Sequence, residues 1–486
     1  MKNGKDHRNG GPTRREILKM SVGALGSLSM VDPSPGSTPP QGRETLRQPN
    51  IVFFLGEGLR TDELSIAGNK ILRTPNMDRI AREGITFRNA FVVNALCLPS
   101  RASVLTGLYS HSTGAIDNHD RSIPADVPLI SDILREAGYE VAFFGKAHIK
   151  DLSRRYWDSF LGFEAASADY YDPVLIASRQ GNAQPPQRYH GYADDLFTDR
   201  ALQWLSQHRQ KPFCLFLWFL APHSPFYRAR RHLDLYNGIT IPKPSTFDDD
   251  LKGYPGKPRA FAAAQNKVGT TVTGEAKARS LEELVKDHYA GVVDNDENIG
   301  RIMGALERAG KLDDTAIVLS SDHGFFLGEW RMYDKRFMHE PSIRVPLMVR
   351  YPRAVRAGLT CEKTALNLDL APTILELAGL SPPRGMQGQS LAPFLQGSQP
   401  ETWRTDWLYE YYDYPDNLVV PHRGIRTERY KFIHYYQAPE EFELYDLRQD
   451  PGELHNLYGD PRYAALTRDL LQRIHELRQA TGDHNV

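Results

Sequence analysis

At 486 residues the chain is long enough for one large domain and a smaller one, with a substantial apolar core. Its formal charge of -1 excludes a global field that would gather nucleic acid or an anionic membrane, so any recognition of anions must be local. Three cysteines, Cys97, Cys214 and Cys361, are too few for a disulfide framework.

Residues 1–31 read as an export signal. Arg14 and Arg15 in "TRREILK" precede a modest apolar run from Met20 to Val31, the layout of a charged region followed by a short hydrophobic one. The arginine pair resembles a twin-arginine signal, which implies the twin-arginine export machinery as a partner and a periplasmic or extracellular location in a bacterium. The run is too short to span a bilayer, so no stable membrane anchor is expected. Residues 32–48, "DPSPGSTPPQGRETLRQ", have the composition of a disordered linker.

From residue 49 to about 400 the pattern is that of an α/β domain. Asn50 to Leu55 is an apolar run ending at glycine, as in a strand buried on both faces. Asn76 to Glu83 has helical periodicity and Gly84 ends it; "ITFRNAFV" is the next strand. "DVPLISDILREAGYEVAFFGKAH" repeats helix, glycine, strand and loop, and "PFCLFLWFLAPH" and "DDTAIVLSSDHG" are further strands. Cys214, inside that apolar run, reads as a buried thiol. The alternation predicts a large, mainly parallel sheet sandwiched by helices. Residues from about 227 to 280, rich in Lys, Pro, Gly and Asp, read as a long surface insertion, either shaping a substrate pocket or inert. Residues 401–486 change character: "RGIRTERYKFIHYY" and "EFELYDL" read as antiparallel strands and "YAALTRDLLQRIHELRQA" as a terminal amphipathic helix, together a smaller α+β subdomain.

The unusual polar residues follow the strand ends: Glu57, then Lys146 and His148, then His223, then Asp322 and His323. Open α/β sheets bind ligands at that end. Four strand ends are therefore expected to converge on one place. Lys146 and His148, two residues apart, share a face if their segment is extended.

Cys97 opens the string "CLPSRASVLTG", where a helix starts beside Arg101. A helix N-terminus with an arginine is an anion site, and a cysteine there could attack an anionic ester. The string also resembles the signature of the sulfatase family, C-x-P-S-R followed by Thr-Gly. Further blocks in the family's order extend the resemblance, among them "TPNMDRIAREGITFRNAF", "GKAH", "APHSPF", "SSDHGFFLGEW" and "ELYDLRQDPGELHNL".

The resemblance implies an alkaline phosphatase-like fold and hydrolysis of a sulfate ester on a sulfated small molecule or oligosaccharide. It implies that a separate formylglycine-generating enzyme oxidises Cys97 to formylglycine (3-oxoalanine), whose hydrate supplies the nucleophile. Asp322 and His323 match the family's metal pair, with Glu57 and residue 97 completing the set around Ca²⁺, or Mg²⁺ or another divalent ion. Arg101 and Lys146 would hold the formylglycine and the sulfate, and Lys335 matches a sulfate-binding lysine. His148 would orient the hydrate or act as base, and His223 would bind substrate and protonate the departing alkoxide. His339 and His422 are pocket candidates, His422 as a substrate contact.

One departure stands out. The family's first strand usually ends in two aspartates; here the residues are Glu57 and Gly58, which removes one carboxylate from the metal site. Asp62 reads as a surface or capping residue and not a replacement. Two other functions fit the same residues: a phosphoester or phosphonate monoester hydrolase, and a non-catalytic sulfoglycan-binding protein.

Overall fold

The computed structural model describes residues 48–484 except 120, 208–209, 253–255, 265–266, 270–278 and 413–418. The expected export signal, and the expected linker up to residue 47, lie outside them. The described residues form an eleven-stranded sheet and a separate four-stranded one.

The large sheet contains β1 (Asn50–Gly56), β2 (Ile85–Phe91), β3 (Glu140–Lys146), β4 (Ser159–Phe163), β5 (Val174–Arg179), β6 (Asn182–Ala183), β7 (Gln187–Arg188), β8 (Phe213–Trp218), β9 (Thr315–Ser321), β10 (Met348–Arg350) and β11 (Leu359–Leu366). Their spatial order is β11-β2-β10-β9-β1-β8-β3-β4-β5-β6, with β7 on β5. The central run β9-β1-β8-β3-β4 is parallel throughout. Towards one edge β10 runs against both β2 and β9; at the other, β5 runs against β4. The sheet is mixed at its margins and parallel where it matters for the site. The short antiparallel strands escaped the sequence pattern because three residues such as β10 carry no readable period.

Both faces of the sheet are covered. Ile51, Phe53 and Leu55 of β1 point into one apolar core and Val52 and Phe54 into the other, all fully buried. That is why the strand reads as unbroken hydrophobicity and not as alternation. Helices Pro75–Arg82, Ala193–Leu205 and Leu281–Arg308 contribute Ile80, Phe197 and Ile302 to the second core. Helices Cys97–Thr106, Ile130–Glu136 and Leu370–Leu377 contribute Ala102, Leu134 and Ile374 to the first. Each such buried side chain contributes about 2 kcal/mol.

Two glycines are dictated by geometry. Gly145, at φ 124°, lies so close to the neighbouring strand that a Cβ would fall 1.7 Å from the Trp218 carbonyl. Gly58 has φ 67°, in the left-handed region. The long helix Leu281–Arg308 begins with a capping box: Glu283 N donates to Ser280 Oγ at 3.2 Å, and Ser280 N donates to Glu283 Oε2 at 2.8 Å.

The second sheet is antiparallel in the order β12 (Asp406–Tyr411), β13 (His422–Thr427), β14 (Tyr430–Tyr435) and β15 (Glu441–Asp446). Helix Ala464–Thr481 packs against it through Leu470 and Ile474. The backbone N–H of Glu410 donates to the Val93 carbonyl at 3.0 Å, which ties β12 to the chain just before Cys97.

Candidate active site

The sheet order sets β9, β1, β8 and β3 side by side, and these are the four strands whose ends carry Asp322 and His323, Glu57, His223, and Lys146. In a parallel sheet all C-terminal ends lie on one edge, so residues more than 200 positions apart in the chain meet there.

Glu57 is the centre. Its carboxylate accepts from Arg101 Nη2 at 2.8 Å and Lys146 Nζ at 2.8 Å, with Lys335 Nζ at 3.5 Å, His323 Nε2 at 3.3 Å and His223 Nε2 at 3.9 Å. Cys97 Sγ lies 3.3 Å from both Glu57 Oε1 and His323 Nε2.

Cys97 is the first residue of its helix, and Arg101, one turn on, shares its face. The helix is buried along its whole length. Leu98 N donates to Asn118 Oδ1 at 3.1 Å, and Pro99 has no donor to satisfy, so the helix N-terminus is not left with orphaned groups there. Arg101 also donates from Nε to Asp322 Oδ2 at 2.9 Å and from Nη1 to the Lys146 carbonyl, and its guanidinium lies 5.4 Å from the centre of the Trp218 ring. One planar cation thereby joins the ends of β1, β9 and β3.

The charges of the chain itself explain the titration. Burial alone would raise the Glu57 carboxyl, but Lys146, Lys335 and His223 outweigh it and hold it well below the usual carboxylate range. Burial and Glu57 would likewise raise the Cys97 thiol; Lys146, Lys335 and His323 bring it well below its usual value. Asp322 is pushed up to about 6 by burial and by Glu57. Burial would lower His323, yet Asp322 raises it to about 9. His223 is driven down to about 4 by burial and then by the two lysines.

Glu57, Cys97, Asp322 and His323 each offer one ligand atom, all within 4.8 Å of one another. His323 Nδ1 donates to the Gly324 carbonyl at 2.7 Å, which orients the ring and turns Nε2 inward, where a bound cation would displace its proton. Two carboxylates and an oriented imidazole fit a divalent cation. Gly58 contributes no side chain; a Cβ there would meet Phe325 Cδ2 at 3.4 Å and His323 Cε1 at 3.6 Å. Asp62 stays outside, its side chain 65% exposed and paired with Arg60 at 2.6 Å.

Two sequence expectations need correction. β3 stops at Lys146, and His148 has φ 52°, so strand alternation does not set the two side chains on one face. His148 is nonetheless buried, and burial lowers its pKa against the neighbouring Cys97, which would raise it. Neither of its ring nitrogens has a hydrogen-bond partner among the described residues. His422 does not join the cluster: it is fully buried among the rings of Tyr409, Tyr411 and Tyr435, with Nδ1 donating to the Val420 carbonyl at 2.9 Å. Its position as first residue of β13 turns it into an aromatic layer. His339 is also buried, with Nε2 3.2 Å from Glu443. Cys214 and Cys361 are buried free thiols.

Several supporting residues were missed. Asp194 accepts from Leu220 N and Ala221 N, both at 2.8 Å, and Asn295 donates to the Ala221 carbonyl at 2.7 Å. Tyr170 donates to the His223 carbonyl. These three hold the loop that carries His223. Tyr409 of β12 accepts from Ala95 N at 3.2 Å and donates to the Arg336 carbonyl, bracketing Cys97 and Lys335 from the second sheet. No spacing rule links such distant partners; the Ser280/Glu283 box was the one legible sign, marking the helix that carries Asn295.

Comparison with known proteins identifies the family. The profile of the family described as "Sulfatase" matches residues 49–380, and that described as "N-sulphoglucosamine sulphohydrolase, C-terminal" matches 328–480. The chain is 36% identical to an N-acetylglucosamine-6-O-sulfatase of Bacteroides thetaiotaomicron over 92% of its own length and 89% of the relative's. It is 32% identical to a multifunctional alkaline phosphatase superfamily protein of Trinickia caryophylli, covering 85% and 91% respectively. A solved structure of a protein in complex with its substrate D-glucosamine-2-N,6-O-disulfate superposes with a TM-score of 0.83 at 34% identity, over 90% of this chain and 99% of that one. With its fold and most of its length matched, the chain belongs to the sulfatase family of sulfuric ester hydrolases.

Proposed function

We propose that the protein hydrolyses the sulfate ester of a sulfated sugar, outside the cytoplasm, with a nucleophile made from Cys97. The observation that carries this reading is the convergence of Arg101, Lys146 and Lys335 on two carboxylates at the point where Cys97 Sγ sits. Similarity to an N-acetylglucosamine-6-O-sulfatase supports a 6-O-sulfated glucosamine derivative as the substrate. Oxidised to formylglycine, residue 97 would supply the attacking oxygen as its hydrate, in the place Sγ occupies here; a bound Ca²⁺ would supply positive charge for the sulfuryl oxygens.

The remaining work falls to side chains of the chain. Glu57, Asp322 and His323 would hold the cation. Lys146 and Lys335 meet the sulfate oxygens as point charges. Arg101 keeps both carboxylates in place through its paired contacts. His223 Nδ1 donates to the Ser224 carbonyl at 2.7 Å, so Nε2 is the atom that faces the site; a bound sulfate would raise its pKa from about 4, and the imidazolium so formed passes its Nε2 proton to the departing oxygen. His148, with both ring nitrogens free among the described residues, orients the nucleophile or takes its proton. A helix long and apolar enough to cross a membrane is absent among the described residues. The arginine pair near the N-terminus supports export.

A second reading, hydrolysis of phosphate or phosphonate monoesters, is favoured by the 32% identity to the multifunctional superfamily protein. Release of sulfate from N-acetylglucosamine-6-sulfate, with 4-nitrophenyl sulfate and 4-nitrophenyl phosphate compared side by side, decides between them. The first reading expects faster sulfate release together with a mass loss at the Cys97 peptide matching thiol-to-aldehyde conversion. A phosphate rate exceeding the sulfate rate overturns it.

A further inference from the structure

Five large apolar side chains are exposed among the described residues, and two of them, Val174 at 44% and Tyr227 at 47%, line one cleft of about 440 Å³. Pro225, Ser167 and Asp169 complete the part of its lining that matters here. The cleft adjoins the active site through its own walls. Tyr227 meets the ring of Tyr170 edge-on at 6.0 Å, and Tyr170 donates to the carbonyl of His223. Another lining residue, Phe163 at the end of β4, accepts through its carbonyl from Ala147 N at 2.9 Å and His148 N at 3.3 Å. The segments bearing His148 and His223 therefore lie directly behind two of its wall residues, Phe163 and Tyr170.

An exposed tyrosine, valine and proline make an apolar platform that matches the C–H face of a pyranose, and a carboxylate with a hydroxyl matches its rim of donors. No Lys, Arg or His lines the cleft, and Asp169 would repel a sulfate. The occupant is thus a neutral or amino sugar and not a second sulfated one. Because His223 faces the departing oxygen, the cleft lies on the side of the sugar that leaves.

We infer that this cleft is a subsite for an unsulfated sugar residue linked to the one bearing the scissile sulfate, an inference that rests on the sulfatase reading above. The test uses the full-length, formylglycine-bearing enzyme with 4-nitrophenyl sulfate, N-acetylglucosamine-6-sulfate, and a disaccharide joining the latter to an unsulfated hexose. Tyr227→Ala and the milder Asp169→Asn should each lower kcat/KM about tenfold on the disaccharide, through KM, and leave the two smaller substrates within about twofold. A wild-type enzyme that does not prefer the disaccharide overturns the inference, as does a loss of equal size on all three substrates. Binding of the fully desulfated disaccharide, followed by ligand-detected NMR, separates the two levels of the reading. If no substrate releases sulfate, the sulfatase reading falls, yet weaker disaccharide binding by Tyr227→Ala still upholds the cleft. Equal binding by wild type and variant overturns the cleft whatever the turnover.

Discussion

Two regions of this molecule hide full charges from water, and they do so to opposite ends. Beneath the four-stranded sheet, Arg426, Lys431 and Lys257 face Glu340, Glu453 and Glu443: Arg426 Nε lies 2.8 Å from Glu340, Lys431 Nζ lies 2.5 Å from Glu453 and 3.0 Å from Glu340, and Lys257 Nζ lies 3.7 Å from Glu443. Three cations meet three carboxylates, and Tyr435 and His339 take up further lone pairs of Glu443. At the ends of β9, β1, β8 and β3, four cations, Arg101, Lys146, Lys335 and a His323 raised to about 9, meet two carboxylates, Glu57 and Asp322, and a thiol held well below its usual pKa. An unbalanced buried charge costs several kcal/mol. Balance marks a brace between segments; imbalance marks a place that an anion completes.

The sharpest way to break this contrast is Cys97→Ala. Turnover should fall on the order of 10⁴-fold or more while the melting temperature holds, measured by sulfate release and calorimetry. Retained turnover would remove the nucleophile from position 97. Lys335→Met should come next, lowering kcat/KM about 10²–10³-fold with little change in stability, because it relieves the cation excess while removing a sulfate contact. Lys431→Met should show the reverse pattern. It strands Glu453 and leaves Glu340 to Arg426 alone, so denaturant titration should report a loss of about 3–5 kcal/mol, with kcat/KM per folded molecule unchanged. If both lysines behave alike, charge balance does not distinguish brace from site.

Acid should loosen the brace. Burial would raise the Glu443 carboxyl, but His339 and Lys257 hold it at about 2, below its unfolded value of 4.5. A depressed folded pKa contributes stability that is complete above pH 4.5 and lost as pH falls towards 2, worth on the order of 3 kcal/mol. Glu443→Gln should flatten the pH dependence of unfolding across that window. The smallest effect is at Gly58. Gly58→Asp places a carboxylate where the backbone is left-handed, at a cost of about 1 kcal/mol, with its Cβ against Phe325 and His323. Calorimetry with Ca²⁺ should show tighter binding; unchanged affinity would mean that position 58 does not reach the cation.

Much of this was legible in the chain. The apolar run of β1, the glycine-punctuated helix and strand around β3, and the polar residues following the strands that became β1, β3, β8 and β9 all follow from local pattern, because a strand buried on both faces must be apolar throughout and its ligand-binding residues must wait for its end. The "CLPSR" string announced a helix start with an arginine one turn on. What was not legible depends on partners far apart in sequence. Asp194 holds the His223 loop from 26 residues away, and Asn295 does so from a helix 74 residues away in sequence. The left-handed backbone of His148 breaks the period-two reading that a strand would have continued. His422 was expected at the pocket; tyrosines of the two flanking strands, Tyr409, Tyr411 and Tyr435, instead close over it, a contact set by strand pairing.

The sequence by itself determined the fold class, the sulfatase resemblance and which residue types stand at the strand ends, since hydrophobic period and motif spacing act over a few residues. The tertiary structure alone decided that these ends are adjacent, that Arg101 bridges three of them, and that Tyr409 from the second sheet braces Cys97 and Lys335. Strand order and inter-sheet docking are set by long-range packing, and no stretch of chain carries that information on its own.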